Sequence, residues 1–365
     1  MPRSRSARVT NLLDLTLPEL TAWMQEELGE PKYRAQQLWQ WLWQKSATDV
    51  AVMTNISQKT RERLAACARI VWPEVITTQQ SRDGTTKFLL GLVDGCRIEC
   101  VLIPSEGHDG KVRWALCLST QVGCPMGCTF CATGHMGFRR NLTMAEILGQ
   151  VLVARAHMGD NRPDHPIVRN LVFMGMGEPL LNQRELFRAL ETLNSPQGLA
   201  FSPRRITVST CGIDGGIAAL GQCGLAYLAV SLHAPNQELR AKLMPGAARL
   251  PLDALMAQLR QYPLKTREHI TFEYLLLKDI NDSPEHAREL ARLVHQLGPN
   301  RGKLNLIVYN AVGEAAYRAP DEARVLAFER VLWDRQVTAI VRASKGSDID
   351  AACGQLAGKN PGKDF

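Results

Sequence analysis

The sequence predicts an α/β protein, a partial, open βα barrel of the TIM type preceded by a helical N-terminal unit. From residue 112 onward, strand-like apolar runs alternate with helical segments, which is typical of a parallel sheet with helices outside it. The repeats fall slightly short of a closed barrel, so an open one is favoured. Before residue 75 the apolar spacing is helical.

Two units precede the predicted core. Residues 1–75 form a helical accessory domain, with Pro18 suited to the first turn of a helix. The tryptophans of the WQWLW run at 39–43 are best explained as core of that domain, and a stacking platform for unpaired bases ranks second. Residues 76–109 form a hairpin or linker, whose strands at 85–92 and 97–103 flank Asp94-Gly95.

The predicted core spans residues 110–348 and is followed by a C-terminal segment at 349–365. Thr143-x-x-Glu146 is a capping box and predicts a helix that runs to about residue 158. Ser283 and Pro284 cap and begin a later helix. The predicted core strands are 112–119, 167–174, 205–209, 225–232, 269–276, 303–309 and 337–343.

Composition indicates a soluble globular chain, with 365 residues that are 45% hydrophobic and 22% charged. The net charge of +7 is compatible with RNA binding but is weak evidence for it. The N-terminus lacks a signal-peptide pattern, and the uncharged stretch between Asp214 and Glu238 is cut by polar residues and glycine. We therefore expect a cytoplasmic, membrane-free protein whose ten cysteines stay reduced.

The most informative stretch is CPMGCTFCATG, in which Cys124, Cys128 and Cys131 have the spacing C-x3-C-x2-C. Closed zinc sites and ferredoxin clusters take four protein ligands, and no fourth Cys or His follows at a suitable spacing. Three ligands therefore indicate a [4Fe–4S] cluster with one iron left for the amino and carboxylate groups of S-adenosylmethionine. A zinc knuckle or unrelated buried thiols are the alternative.

Further unusual loops follow the predicted strands, at the barrel edge where chemistry collects. In GMGEP, Gly177 and Glu178 permit close backbone approach to a small ligand. Individually, the polar residues of these loops are as well explained by ordinary capping. The other candidates for contact with ribose or adenine are Ser209, Ser231, Leu232, His233 and Asn310.

The cysteine loop, with Phe130 before its third cysteine, resembles the radical-SAM superfamily. FMGMGEPLLN, VSLHAPN and DIDAACGQLAG narrow the resemblance to the RlmN/Cfr group of RNA methyltransferases, over nearly the whole chain. The resemblance implies a radical-SAM fold, RNA binding by the N-terminal domain, and cofactor contacts at the seven residues from Gly177 to Asn310 named above. It also implies a methyl-carrying thiol at Cys353, a second catalytic thiol at Cys117 and a proton acceptor at Glu99.

The chemistry of adenine explains the need for two extra thiols. Carbon 2 lies between two ring nitrogens and is electron-poor, so radical addition is feasible where polar methyl transfer is not. The resemblance implies that Cys353 takes a methyl group from one S-adenosylmethionine, and that a radical from a second activates it for attack on adenine. Glu99 then accepts the ring proton, and Cys117 releases the RNA and leaves a Cys117–Cys353 disulfide. Gly354 gives the loop mobility.

Three alternatives stay open at this stage. A Cfr-like enzyme would act on carbon 8 of adenosine, an activase would install a glycyl radical on a partner protein, and an RNA-binding module would hold a merely structural cluster. Cys353 and Cys117 could be buried structural thiols, and Glu99 a solvent-facing strand residue. The resemblance implies ribosomal RNA and tRNA as substrates, flavodoxin or ferredoxin as electron donor, and a monomer.

Overall fold

The computed structural model describes residues 9–107, 109–160, 167–311 and 316–358. Residues 1–8 and 359–365, the two ends of the predicted terminal units, lie outside these ranges.

The N-terminal part is a small helical unit, as predicted. Trp39 and Trp43 are buried in an edge-to-face contact with ring centroids 5.6 Å apart, and Lys45 lies over the half-buried Trp41 ring. The core interpretation is therefore confirmed for the first and third tryptophans. The elements are β1 (Thr10–Asn11), α1 (Leu17–Leu28), α2 (Lys32–Trp43), α3 (Gln58–Cys67) and β2 (Ala68–Arg69), with β1 and β2 paired in parallel.

One sheet of ten strands forms the body of the described chain. Its strands are β3 (Glu74–Gln80), β4 (Thr86–Gly91), β5 (Arg97–Glu106), β6 (Val112–Cys117), β9 (Val168–Phe173), β10 (Ile206–Thr210), β11 (Tyr227–Ser231), β12 (Ile270–Leu276), β13 (Gly302–Val308) and β14 (Ala339–Arg342). The spatial order is β14-β13-β12-β11-β10-β9-β6-β5-β4-β3. Two further strands, β7 (Gln121–Gly123) and β8 (Phe138–Asn141), form a separate antiparallel pair around the cysteine loop.

The sheet is mixed and open. From β6 to β14 the neighbouring strands are parallel, as the strand-helix alternation predicted, and within the described residues β14 and β3 are its two unjoined edges. The predicted hairpin is β4 and β5, but it is not a detached linker, because β5 pairs with β6 and extends the core sheet. Strand β3 begins in the segment predicted to be helical, and its mostly exposed edge position explains why apolar periodicity did not reveal it.

Helices cover the parallel strands. The capping box of α5 is confirmed: the Thr143 hydroxyl accepts from the Glu146 N–H, and the Glu146 carboxylate accepts from the Thr143 N–H at 3.0 Å. The Ser283 cap with Pro284 at the first helical position is confirmed as well. No helix of the described residues is long and apolar enough to cross a membrane. The core helices are α4 (Ala132–His135), α5 (Met144–His157), α6 (Gln183–Asn194), α7 (Gly216–Cys223), α8 (Gln237–Leu243), α9 (Leu252–Gln261), α10 (Pro284–His295) and α11 (Glu322–Asp334).

Thr143→Ala tests the capping box. The substitution removes the hydroxyl acceptor at the start of α5, a helix that is buried along most of its length. We expect the free energy of unfolding to fall by about 1 kcal/mol, the usual effect of losing an N-cap side chain. Urea unfolding followed by circular dichroism measures it, with the exposed Thr266→Ala as control. Equal stability of both variants would contradict the prediction.

Candidate functional site

A cleft at the carboxyl ends of the parallel strands gathers most of the predicted site residues. It encloses about 940 Å³, part of it open to solvent. The strands bring polar loop residues to the same edge because successive parallel strands all end there. The predicted residues that line the cleft are Cys124, Cys128, Cys131, Gly177, Glu178, Ser209, Ser231, His233 and Cys353.

Backbone hydrogen bonds shape the cysteine loop from both sides. The Cys124 N–H donates to the Gly137 carbonyl at 2.8 Å, which ties the loop to the turn before β8. On the other side, the Thr129 N–H donates to the Leu243 carbonyl at 3.0 Å, at the end of α8. A Cβ on Gly134 would lie 2.9 Å from the Cys128 nitrogen, so the loop closes this tightly only with glycine there.

The three loop cysteines are half-buried in the cleft. Burial raises the pKa of Cys124 to about 12, and burial likewise raises the pKa of Cys128 and of Cys131. Thiols in such a cleft stay protonated unless a metal centre takes the place of their protons.

The donor set fits an iron–sulfur cluster. Among the described residues, no group of three or more His, Cys, Asp or Glu side chains is placed to hold one metal ion. A [4Fe–4S] cluster binds each thiolate through a different iron, so its ligands need not converge on one point. Three desolvated thiols on a single loop, facing a common cleft, match that requirement.

The GMGE loop is built for close approach. Gly177 has φ +100°, and a Cβ there would lie 2.5 Å from the Gln121 Cβ, so only glycine fits. The neighbouring carboxylate of Glu178 accepts from the Leu180 N–H at 3.0 Å and the Cys211 N–H at 2.9 Å. Burial nevertheless raises the pKa of Glu178, because desolvation outweighs these hydrogen bonds. The loop thus offers a buried carboxyl group beside the cysteine loop.

His233 is an uncharged residue in the cleft wall. It has φ +53°, and its Nδ1 accepts from the Leu275 N–H at 3.0 Å. Burial, and then the charge of Arg240, lower the pKa of His233 to about 3. A neutral ring that accepts at Nδ1 carries its proton on Nε2. Its ring packs edge-to-face against Phe130 of the cysteine loop, with centroids 5.0 Å apart.

Two predicted cofactor contacts are not part of the cleft wall. Leu232 is fully buried, and its N–H donates to the Glu273 carbonyl at 3.0 Å. The Asn310 side chain turns back to the Val308 carbonyl at 3.4 Å. Any contact they make would therefore be through the backbone or require a side-chain movement. In contrast, the Ser209 and Ser231 hydroxyls are 3.2 Å apart in the wall itself.

Cys353 lies near enough to Cys117 to affect the pKa of the Cys117 thiol. Cys353 is an exposed residue of the cleft wall, so it is not the buried structural thiol of the alternative interpretation. Desolvation by the surrounding cleft, and then the nearby Glu273 and Cys131, raise the pKa of its thiol to about 11. Cys117, the last residue of β6, is buried, and its pKa is raised to about 12 by burial and then by Cys353. All ten cysteines are free, so the predicted Cys117–Cys353 disulfide is not formed in this structure.

Glu99 is a buried residue of β5 outside the cleft wall, so it is not the solvent-facing strand residue of the alternative interpretation. Its carboxylate lies 3.3 Å from the Lys87 ammonium. Its other oxygen accepts from the Ala357 N–H at 2.8 Å and the Gly358 N–H at 3.1 Å. The structure thus joins Glu99 to the C-terminal segment rather than to the cleft.

Sequence reasoning missed two charged residues at the site. Glu273 lines the cleft beside Cys353, and its Oε1 accepts from Asn305 at 2.8 Å. It is the one charged residue in the apolar run of β12, a signal that could have identified it. Arg240 of α8 is fully buried, and its positive charge acts to lower the pKa of both His233 and Cys128. Nothing in the surrounding QELRAKL pattern distinguishes it from a surface arginine.

Comparison with known proteins agrees with this geometry. Residues 10–70 match the ribosomal RNA large subunit methyltransferase N-terminal domain, and residues 118–293 match the radical SAM superfamily. The dual-specificity RNA methyltransferase RlmN of Nitratidesulfovibrio vulgaris is 67% identical, covering 95% of this chain and 94% of that protein. The RlmN of Oleidesulfovibrio alaskensis is 60% identical over 97% of this chain and 98% of that protein.

The chain belongs to the RlmN family. A crystal structure of a radical SAM methyltransferase from Sphaerobacter thermophilus also matches, with a TM-score of 0.86 and 40% identity over 96% of this chain and 100% of that one. Membership makes the protein a radical-SAM enzyme with a [4Fe–4S] cluster and S-adenosylmethionine, of which the family uses two per turnover. The glycyl-radical activase and the binding module with a structural cluster are thereby disfavoured.

Gly177→Ala tests the close approach in the GMGE loop. The added Cβ would overlap Gln121 at a backbone conformation that alanine rarely adopts, so the loop must shift. We expect the affinity for S-adenosylmethionine to fall at least about tenfold, since roughly 1.4 kcal/mol of distortion suffices. Equilibrium dialysis with cluster-reconstituted protein measures it. Gly29→Ala is the matched control, with φ +61° and no atom within 4 Å of its Cβ. Equal affinities for both variants would contradict the prediction.

Proposed function

We propose that the protein methylates carbon 2 of an adenosine in large-subunit ribosomal RNA, at the peptidyl-transferase centre, and of an adenosine next to the tRNA anticodon loop. The observation that supports this best is the cleft shared by the Cys353 thiol and the three cysteines of the CPMGCTFC loop. A thiol that carries the methyl group must reach the cofactor, and the position of Cys353 in this cleft meets that requirement. The relatives' name, dual-specificity RNA methyltransferase, fits two RNA substrates.

The predicted site residues divide into three proposed roles, which are binding the cluster, binding the cofactor and reacting with the RNA. Cys124, Cys128 and Cys131 hold the cluster, which with bound S-adenosylmethionine supplies the methyl group and the radical chemistry. Backbone and side-chain groups of the strand-end loops bind the cofactor: Gly177, Glu178, Ser209, Ser231, Leu232, His233 and Asn310. Of these, the buried Glu178 carboxyl suits a cofactor amino group, and the Nε2–H of neutral His233 is a hydrogen-bond donor.

The remaining roles concern the RNA. Cys353 carries the methyl group and becomes linked to adenine, Glu99 accepts the ring proton, and Cys117 breaks the link. The nearness of Cys353 to Cys117, which raises the pKa of the Cys117 thiol, supports their pairing in that last step. The resulting disulfide must be reduced before the next turnover.

The proposed domain roles follow the same division. Residues 1–75 bind RNA, 76–109 connect, 110–348 form the radical-SAM core, and 349–365 carry the methyl-bearing cysteine. Because β3 to β5 extend the core sheet, the connecting unit also builds one side of the core. We further propose a cytoplasmic monomer that receives electrons from a flavodoxin or ferredoxin.

Nucleoside analysis tests the reaction. The protein is reconstituted anaerobically, incubated with ribosomal RNA and tRNA in the presence of reductant and S-adenosylmethionine, and the RNA is digested. We expect 2-methyladenosine from both RNAs. 8-Methyladenosine would establish the carbon 8 alternative, which no feature of the cleft favours, and zinc without iron in the protein would exclude a radical mechanism.

Cysteine variants test the order of steps. Cys117→Ala should form the link between RNA and Cys353 but not break it, so a covalent adduct should accumulate to about one per protein. Cys353→Ala should abolish methylation and leave the cluster absorbance unchanged. Denaturing electrophoresis with labelled RNA and mass spectrometry measure both, and Cys223→Ala, half-buried at the end of α7, is the matched control. Free methylated RNA at the wild-type rate from Cys117→Ala would refute this assignment.

A further inference from the structure

The segment that carries Cys353 follows β14 and is anchored at its beginning by the β3–β4 turn. The Gly346 N–H donates to the Asp83 carboxylate at 3.0 Å. The Ser81 hydroxyl donates to the Asp348 carboxylate at 2.6 Å. These contacts seat the first part of the segment on the antiparallel edge of the sheet.

The end of the segment is anchored by Glu99 and by the helix of the cysteine loop. One Glu99 oxygen accepts from both the Ala357 and Gly358 N–H groups, at 2.8 and 3.1 Å. The Thr133 hydroxyl donates to the Leu356 carbonyl at 2.6 Å. Hydrogen bonds to a carboxylate are roughly twice as strong as those between neutral groups, so Glu99 is the stronger of these two anchors.

Lys87 connects the two anchors. Its ammonium lies 3.3 Å from the second oxygen of Glu99 and donates to the Asp350 carbonyl at 3.2 Å. The side chains of Lys87 and Glu99 are only 8% and 2% exposed. A desolvated pair of this kind interacts far more strongly than a pair in water, and loss of either partner leaves the other charge buried and unpaired.

The same contacts occupy the carboxylate that is proposed to accept the substrate's proton. One oxygen has two backbone donors and the other has the ammonium of Lys87. An oxygen is free for a proton from adenine only after its own partners move, which are the two backbone N–H groups for one oxygen and the Lys87 ammonium for the other. Movement of the segment away from Glu99 removes both backbone donors at once.

We propose that Lys87 is a positioning residue, and that the Lys87–Glu99 pair holds the Cys353 segment in the cleft until its movement frees the Glu99 carboxylate. While the Cys353 segment is docked, the Glu99 carboxylate is not free to accept a proton. Proton transfer would therefore follow the movement of the segment with its bound RNA. The holding role stands on the contacts alone, whereas the consequence for proton transfer rests on the proposed function.

Amide hydrogen exchange tests the holding role. The full, cluster-reconstituted chain is compared with its Lys87→Met and Glu99→Gln variants, and exchange is read from the peptide covering residues 351–358. We expect exchange on the order of tenfold faster in both variants, since about 1.4 kcal/mol of lost anchoring corresponds to that factor. Lys87→Arg, which keeps the charge, should restore most of the protection.

The control is an exposed pair of the same composition. Lys242 and Glu238 are 2.7 Å apart but 67% and 82% exposed, so Lys242→Met and Glu238→Gln should leave the exchange of the segment unchanged. Slow exchange in the α5 peptide confirms that each variant is folded. If a single variant does not fold, Lys87→Met/Glu99→Gln leaves no unpaired charge buried and gives the same readout. Wild-type protection of the segment in the folded variants would overturn the proposal.

RNA products separate this proposal from the proposed function. Lys87→Met retains the Glu99 carboxylate and should still yield free 2-methyladenosine, whereas Glu99→Gln should accumulate the RNA adduct. Release of methylated RNA by Glu99→Gln at the wild-type rate would remove Glu99 as acceptor, and with it the coupling to proton transfer. Faster exchange in both variants, together with a wild-type protein that methylates no RNA, would support the holding role and refute the function.

Discussion

The hydrogen bonds around Ser119 hold the site together. Its hydroxyl donates to the Glu99 carbonyl at 2.6 Å and accepts from the Met176 N–H at 2.8 Å. Its backbone is paired on both sides with the Gln150 amide of α5, at 2.8 and 2.9 Å. The strand of Glu99, the start of the cysteine loop and the GMGE loop are therefore fixed relative to one another. Because all these groups are buried, loss of any partner would leave an unpaired polar atom.

The features that could be predicted from the sequence are those determined by residues close together in the chain. The cysteine loop, the glycine of the GMGE loop and the α5 cap are encoded within a few residues, because spacing, a positive φ or an N-cap determines them. Strand β3 was missed because it lies at an exposed edge with weak apolar alternation. Leu232 and Asn310 illustrate a further limit, since their place outside the cleft wall depends on which way each strand end faces.

The environment of Glu99 was beyond prediction for the same reason. Its backbone donors, Ala357 and Gly358, lie more than 250 residues away in the chain, at sequence separations of 258 and 259. No pattern around Glu99 distinguishes a carboxylate held by a distant backbone from one that faces solvent. Only the return of the C-terminal segment to β5 brings the backbone that follows the predicted carrier thiol into hydrogen bonds with the predicted acceptor.

The buried positive charge of Arg240 indicates that the cleft holds negative charge. Its guanidinium donates to the Ala247 and Leu250 carbonyls at 2.8 and 3.0 Å, and no salt bridge joins it to a carboxylate in the described part of the chain. Burying a cation is costly unless an anion compensates for it. Its charge acts against protonation of His233 and favours the thiolate of Cys128. The fold thus keeps a buried positive charge beside the cysteine loop, and anionic thiolates that ligate a cluster are the partners that would balance it.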